Sequence, residues 1–419
     1  MNKVELLAPA GNMTKLKTAF LFGADAVYLG GSQFGLRAKA DNFSFEEIEE
    51  AVKLANSLGK KIFVTLNILP REDDLSSMVK YAKKLHEIGV HAVIISDIGL
   101  FNMVHEEIPE LDIHISTQAN TLNSQTIKYW VKNGASRVNL ARELSLEEIS
   151  KISYGLKKLG VECDLEAFVH GSMCMAYSGR CLISDFLTGR SSNRGDCTQP
   201  CRWKYHVVEE KRPGEYMPLE ETDNGTFMFN SKDLCMVEHI DKMIESGVTS
   251  LKIEGRMKSE FYTAIVVRAY RLAIDEYYKD PIGYKNNHTL HEELVAELSS
   301  VSHRDYSTGF YLGDRGEQVY TTSSYIRDTV FIGTIETCEE ISHNSYETMF
   351  YLRGDFNKGD TLEFVTPERE IFKEKIDEMY NAEGESLNRA AQAMTEVRLN
   401  LPWYIKPGSI IRKRKIQEE

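Results

Sequence analysis

Five cysteines crowd one stretch of this chain. Cys174, Cys181, Cys197, Cys201 and Cys235 are spaced C-x6-C-x15-C-x3-C-x33-C, out of seven cysteines in all. Thiolates are soft ligands, and four of them complete a tetrahedral zinc site or hold an iron–sulfur cluster. Structural zinc usually takes its ligands from two close C-x2–4-C pairs, and only Cys197 and Cys201 make such a pair. The spacing therefore favours a cluster, which accepts ligands from scattered loops. Burial as small hydrophobes does not account for five thiols set among Gly, Arg and Ser. Cys163 and Cys338, by contrast, lie in β-rich runs and read as core residues. Disulfides are not expected, because no apolar run approaches the ~18 residues of a membrane span and the N-terminus lacks the apolar stretch of a signal peptide. A cytoplasmic protein without a membrane partner is the expectation.

The elements that must position these thiols follow from a weak internal repeat. Six times a helix-like segment ends in a glycine (Gly23, Gly59, Gly89, Gly134, Gly160, Gly247) and a β-rich run follows. Glycine just past a helix accepts the left-handed conformation that satisfies the last carbonyls. Near-continuous apolar runs of this length suit strands buried on both faces. Strands are predicted over 4–8, 26–30, 61–67, 92–97, 112–116, 137–141, 162–168 and 250–254. Helical spacing fills the intervals, as with Leu75, Met78, Val79, Ala82 and Leu85. Capping boxes open two of the helices, Ser44 with Glu47 and Ser145 with Glu148.

Eight alternating units point to an α/β fold, a (β/α)8 TIM-like barrel, with an open doubly wound sheet as competitor. Gly160 and Gly247 lie 87 residues apart, an excess of about one unit. That insertion follows strand seven and contains the cysteines, so it would hang over the C-terminal mouth, where such barrels do their chemistry. A chain of 419 residues suggests two or three domains. The barrel is expected over 1–278, with the Cys-rich insertion at about 170–246. A helical connector follows over 279–328, then a small all-β barrel-like domain over 329–419, where short β runs alternate with turns.

A formal charge of −13 argues against nonspecific nucleic-acid binding by the whole surface. Two basic stretches are exceptions. Residues 180–204 hold five Arg/Lys against Asp185 and Asp196, and Lys406, Arg412, Lys413, Arg414 and Lys415 read as a solvated charge run. Predicted strand ends carry Asn67, Asp97, His114, Gln118, Asn139, Arg142, Glu166, His170, Glu254 and Arg256, polar groups expected to line a pocket at the mouth. Arginine forks grip carboxylates, which makes Arg142 and Arg256 candidates for a dicarboxylate ligand. Glu166 and His170 are candidate proton carriers. Tyr177, Trp203 and Tyr205 are candidates to stack on an unpaired base.

The segment Glu166-Ala-Phe-Val-His170-Gly-Ser-Met-Cys174-Met-Ala-Tyr-Ser-Gly-Arg-Cys181-Leu-Ile-Ser184 resembles the signature of the U32 "peptidase" family. The blocks Leu6-Leu-Ala-Pro-Ala-Gly11 and Leu251-Lys-Ile-Glu-Gly-Arg256 resemble it too, so the similarity spans essentially the full chain. Within the family, the chain is most similar to members that hydroxylate tRNA. The resemblance implies oxygen-independent, prephenate-dependent conversion of the tRNA wobble uridine (U34) to 5-hydroxyuridine. It also implies a [4Fe–4S] cluster on Cys174, Cys181, Cys197 and Cys235, with Cys201 as an alternative to Cys197. Glu166, His170, Glu254 and Arg256 become the catalytic candidates and Arg142 a cofactor-binding one. The implied partners are the tRNA anticodon region, prephenate, and a paralogous U32 subunit or a second copy.

Competing readings find less in the residues. A peptidase is named by the family, yet His105-Glu-Glu-Ile and His291-Glu-Glu-Leu lack the second histidine of H-E-x-x-H and no G-x-S-x-G elbow occurs. A glycosidase using Glu166 and Glu254 leaves the cysteines without a role. A zinc-stabilised RNA-binding scaffold is the non-catalytic alternative.

Overall fold

The structure is a computed structural model describing residues 3–36, 41–173, 180–203, 207–208, 216–217, 232–313, 326 and 328–415. Cys174, Tyr177 and Tyr205 lie outside the described residues.

The apolar runs do become strands. Seven pair in chain order and in parallel: β1 (Glu5–Pro9), β2 (Ala26–Gly30), β3 (Lys61–Leu66), β4 (Ala92–Ile95), β5 (Ile113–Ile115), β6 (Ala135–Asn139) and β7 (Asp164–Ser172). A closing strand, Ser250–Ile253, bonds β7 on one side and β1 on the other, so the sheet closes on itself. The fold is therefore an eight-stranded parallel barrel ringed by helices, and the open-sheet alternative is excluded. Each strand is buried on both faces because one face packs under the helices while the other fills the lumen. Leu7, Ala26, Tyr28, Phe63, Ala92 and Ile94 form the lumen's own apolar cluster, separate from the outer core. The repeat glycines carry positive φ, from 63° at Gly160 to 107° at Gly23. Both capping boxes are formed.

Strand β7 departs from expectation by running on past Phe168 to Ser172. Its extra length pairs with a return strand, Asp233–Cys235, which comes back antiparallel from the insertion and matches Cys235 to His170. Between these strands, the described residues 180–203 are anchored at the mouth. Arg194 Nη1 donates to Asp74 Oδ2 at 2.8 Å and to Leu69 O at 3.3 Å, and Leu69 N donates to Asn193 O at 3.2 Å. Arg180 Nε donates to Asn120 Oδ1 at 3.2 Å. These anchors follow β3 and β5, so an insertion that leaves β7 is tied down on the C-terminal ends of strands further round the barrel.

Downstream of the barrel, Thr329–Ser342, Ser345–Tyr351, Thr361–Val365, Ile371–Lys375, Glu396–Leu401 and Ile410–Arg414 form a six-stranded antiparallel sheet with its own core. Of the basic run expected to be solvated, Lys406, Arg414 and Lys415 are exposed, but Arg412 lies within the strand Ile410–Arg414. Strand alternation turns Arg412 inward, fully buried, onto Glu297 of the helix His288–Leu298 through two bonds of 2.9 and 2.8 Å. Its Nε donates to Glu363 at 2.8 Å. Burial pulls the Glu363 carboxyl up, but Arg412, Lys373 and Arg414 outweigh it and hold the group at about 2. Removing one member of a buried, hydrogen-bonded charge set strands the others and costs about 3–5 kcal/mol. Arg412→Met is expected to lower unfolding free energy by roughly that amount in urea titrations, with Glu297→Gln/Arg412→Met recovering part of the loss.

Candidate active site at the barrel mouth

The lumen floor is charged. Lys252 Nζ lies 2.7 Å from Glu166 Oε1, and both side chains are buried. Arg137 of β6 reaches Glu166 at 3.4 Å, Asp164 at 3.3 Å, and Glu5 in a tight ion pair that Ser250 Oγ joins by donating to Glu5 at 2.9 Å. Burial would lower the Arg137 pKa, but these carboxylates outweigh it and raise it. Lys252 also sits 4.5 Å from the Tyr28 ring centroid and 5.5 Å from that of Phe168. Glu166 is thus placed in a buried ion network that stitches β1, β6, β7 and the closing strand together, below the mouth and not at it. Sequence reading missed Arg137 and Lys252, although a charged residue inside an otherwise apolar barrel strand was their visible signal.

Above this floor stands a polar ring. The Tyr28 hydroxyl donates toward Ile253 O (3.0 Å) and Glu254 Oε2 (3.2 Å); burial first, then the Glu254 charge, raises its pKa. Arg256 is 3% exposed and organises the loop after β2. Its Nη1 donates to Leu36 O at 2.8 Å and its Nη2 to Asn42 Oδ1 at 2.8 Å. The guanidinium lies so close over Gly30 that any β-carbon there would collide with it. Arg142 stacks 3.8 Å over Phe168 and donates from Nη1 to Ser172 O at 3.0 Å. Asn67 Nδ2 donates to Gln118 Oε1 at 3.0 Å.

Buried polar atoms around this interior without a hydrogen-bond partner among the described residues include Arg142 Nε, Asn139 Oδ1, His114 Nδ1 and Thr121 Oγ1. Such orphans are rare in folded proteins and mark places where a ligand or water completes the set. His114 is held neutral, its pKa driven well down by burial and by Arg137 and Lys252. Asp97 does not join the ring. It caps the helix Ile98–Glu107, accepting from Leu100 N at 2.9 Å.

His170 is the chief departure. Lys252 pairs with Phe168 but Ile253 pairs with His170, so Val169 is an extra residue that shifts β7 by one. A bulge of this kind reverses which face the following residues occupy. His170 therefore points out of the lumen into the helical layer, ringed by Tyr262, Tyr270 and Tyr306. Gly171, at φ +106°, makes the turn possible, because a β-carbon there would lie 2.5 Å from Glu254 O. Burial lowers the His170 pKa to about 3.

Cys235 lies beside this aromatic pocket, with the Tyr270 hydroxyl 3.9 Å from its sulfur. Its thiol is pushed up to about 12, chiefly by burial, with the Val237 amide opposing. Cys197 Sγ accepts from Gln199 N at 3.3 Å. Cys181 shares the folded loop with Cys197: Ser192 Oγ donates to Cys181 O at 2.6 Å, and Ser184 Oγ lies 3.1 Å from Thr198 Oγ1. Among the described residues, no three His, Cys, Asp or Glu side chains form a group able to hold a metal ion.

Residues 11–321 match the domain described as peptidase family U32, and residues 327–412 match the peptidase family U32 C-terminal domain. The chain belongs to this family. It is 39% identical to "tRNA hydroxylation protein P1" of Bacillus subtilis, over 99% of this chain and 95% of that one. It is 36% identical to "tRNA hydroxylation protein P" of Escherichia coli, over 92% and 91% respectively. To the Escherichia coli "23S rRNA 5-hydroxycytidine C2501 synthase" it is 37% identical, over 65% of this chain and 40% of the relative. No helix among the described residues of this U32 member is long and apolar enough to cross a membrane.

Two measurements check the buried charges. Lys252→Met, which leaves Glu166 facing Arg137 alone, is expected to cost about 3 kcal/mol of unfolding free energy, partly restored by Glu166→Gln/Lys252→Met. The buried His114 and His170 give a pH dependence whose sign is fixed. Above about pH 6.5 they are neutral folded and unfolded, and contribute nothing. Below it the unfolded chain takes up protons that the folded His170 refuses until about pH 3, so stability falls on acidification. His170→Gln is expected to flatten the loss in urea midpoint between pH 6 and pH 4; an unchanged slope would contradict the assigned burial.

Proposed function

We propose that this U32 protein is an RNA-modifying hydroxylase that converts the tRNA wobble uridine to 5-hydroxyuridine, independently of oxygen and with prephenate as co-substrate. The observation that carries the reading is near-full-length similarity to proteins named for tRNA hydroxylation, together with a polar barrel mouth overhung by the cysteine loop. Similarity to an rRNA 5-hydroxycytidine synthase supports the same chemistry on a related base.

The cysteines offer the donor type an iron–sulfur cluster takes, although Cys181, Cys197 and Cys235 do not converge into one metal-holding group among the described residues. Cys197 accepts a backbone N–H, and Cys235 has both an amide and a tyrosine hydroxyl directed at its sulfur. Hydrogen bonds to cluster sulfurs are among the groups that set reduction potential. Cys174, Cys181, Cys197 and Cys235 would hold a [4Fe–4S] cluster, which supplies one-electron chemistry when bound. Cys201 is the alternative to Cys197, and zinc the alternative metal. Cys174 itself lies outside the described residues.

The chain's own residues would do the rest. Arg142, with its unpartnered Nε and its guanidinium flat on Phe168, would receive a carboxylate of prephenate. Arg256 would add positive potential while it holds the loop after β2 in place. Glu254 and the Tyr28 hydroxyl bonded to it would hold a proton at the rim. Glu166 and His170, offered as proton carriers on sequence grounds, are read instead as a counter-ion of the lumen floor and a wall of the aromatic pocket.

The peptidase reading meets a physical obstacle in its most suggestive pair. Cys235 and His170 are matched across two strands, but a thiol pushed up to about 12 beside an imidazole lowered to about 3 is the reverse of an activated thiolate–imidazolium pair.

In a deletion strain complemented with wild type, nucleoside analysis of tRNA is expected to show 5-hydroxyuridine restored. Cys181→Ala is expected to abolish it, and Arg142→Ala to reduce prephenate-dependent turnover about 100-fold. Anaerobically purified protein should be brown and contain iron and sulfide. A colourless zinc protein, or modified tRNA with Cys181→Ala, defeats the reading.

A further inference from the structure

The short helix Ile183–Thr188 in the cysteine loop buries one face and displays the other. Ser184 is fully buried and bonded to Thr198, and Thr188 Oγ1 donates to Ser184 O at 2.7 Å. Turned away from this face are Leu182 and Phe186, four residues apart and so adjacent on the helix surface. They are 67% and 88% exposed. Leu187 and Trp203 in the same loop are exposed as well, as are Leu122 and Met257 on rim loops of the barrel mouth. Water-facing apolar groups concentrated beside one opening mark a surface with an occupant. Charge distinguishes the kind of occupant. Residues 180–204 carry five basic and two acidic residues within a chain of net charge −13, and although Arg190 is paired with Asp196 and Arg194 with Asp74, the stretch stays more basic than the chain around it. Arginines interleaved with exposed aromatic rings suit a polyanion whose bases can be unstacked.

We infer that the outward face of this helix is a stacking platform for a single-stranded RNA loop, with Phe186 taking the place of a neighbouring base beside the nucleotide that enters the barrel. The inference rests on the proposed RNA-modifying function and adds the residue that would grip the substrate. Phe186 is a positioning residue, since it sits on the overhanging loop and not in the polar ring. Leu182 supports its ring, and the bonds from Arg194 to Asp74 and from Arg180 to Asn120 fix the helix over the opening. Any loop with a splayed base would be accepted by stacking alone, so sequence preference would come from the lumen.

The test uses full-length, anaerobically purified protein and a fluorescent 17-nucleotide anticodon stem–loop carrying 2-aminopurine in the loop, with a fully paired hairpin of equal length as control. Wild type is expected to bind the stem–loop and quench 2-aminopurine. Phe186→Ala should weaken stem–loop binding about ten-fold and relieve the quench without altering weak binding to the paired hairpin. Phe186→Trp should restore both. Equal binding and quench by Phe186→Ala would overturn the platform while leaving the hydroxylase reading intact. Failure of wild type to bind the stem–loop would overturn the hydroxylase reading too. A wild-type dimer that Phe186→Ala converts to a monomer in light scattering would overturn the platform in favour of a contact between copies.

Discussion

A single extra residue in β7 governs how this barrel is used. Up to Phe168 the strand obeys simple alternation, and Glu166 and Phe168 face the lumen. Val169 breaks the count, its carbonyl accepting from both Met236 N (3.0 Å) and the Tyr270 hydroxyl (2.7 Å). From there the strand serves a second partner. It pairs with the return strand, directs His170 into the tyrosine pocket and sets Cys235 beside it. Without the bulge, a histidine would occupy the top of the lumen and the insertion would leave at a different angle. The irregularity separates two environments across one wall: an ion-rich interior, and an aromatic pocket carrying a thiol.

The two environments are tuned in opposite ways. Inside the barrel, Arg137 and Lys252 are shared among Glu5, Asp164 and Glu166, so the floor's charges are spent on one another. Buried ion sets of this kind contribute little net stability but are costly to break. Behind the wall, burial favours the uncharged forms of both His170 and Cys235. Such a thiol becomes a thiolate only when something compensates its charge, which a metal does outright.

Much of the barrel was legible in the sequence because strands buried on both faces must be apolar along their whole length. The run Lys61–Leu66 and the closing strand could be seen as such. The cysteine-rich stretch between Cys174 and Cys235 stood out by residue type, since thiolates are soft ligands. What could not be read were directions. The parity of His170 depends on a bulge that has no signature of its own beyond Gly171. The role of Arg256 depends on a loop that folds across Gly30. Arg412, which reads in the sequence as part of a solvated basic run, is buried because its strand lies against Glu297, a pairing across 115 residues. Charge placement along the chain says little about burial until the partner strand is known.

The order in which the barrel strands are joined bears on how the protein is made. β1 finds its second neighbour only in the closing strand, with Glu5 and Ser250 separated by 245 residues. Until the eighth strand is made, the seven before it can form at most an incomplete sheet with an unpaired edge at each end. Exposed edges of that sort are templates for association, and such long-range closure is slow. Closure of the barrel therefore waits on the eighth strand, the last of them to be synthesised.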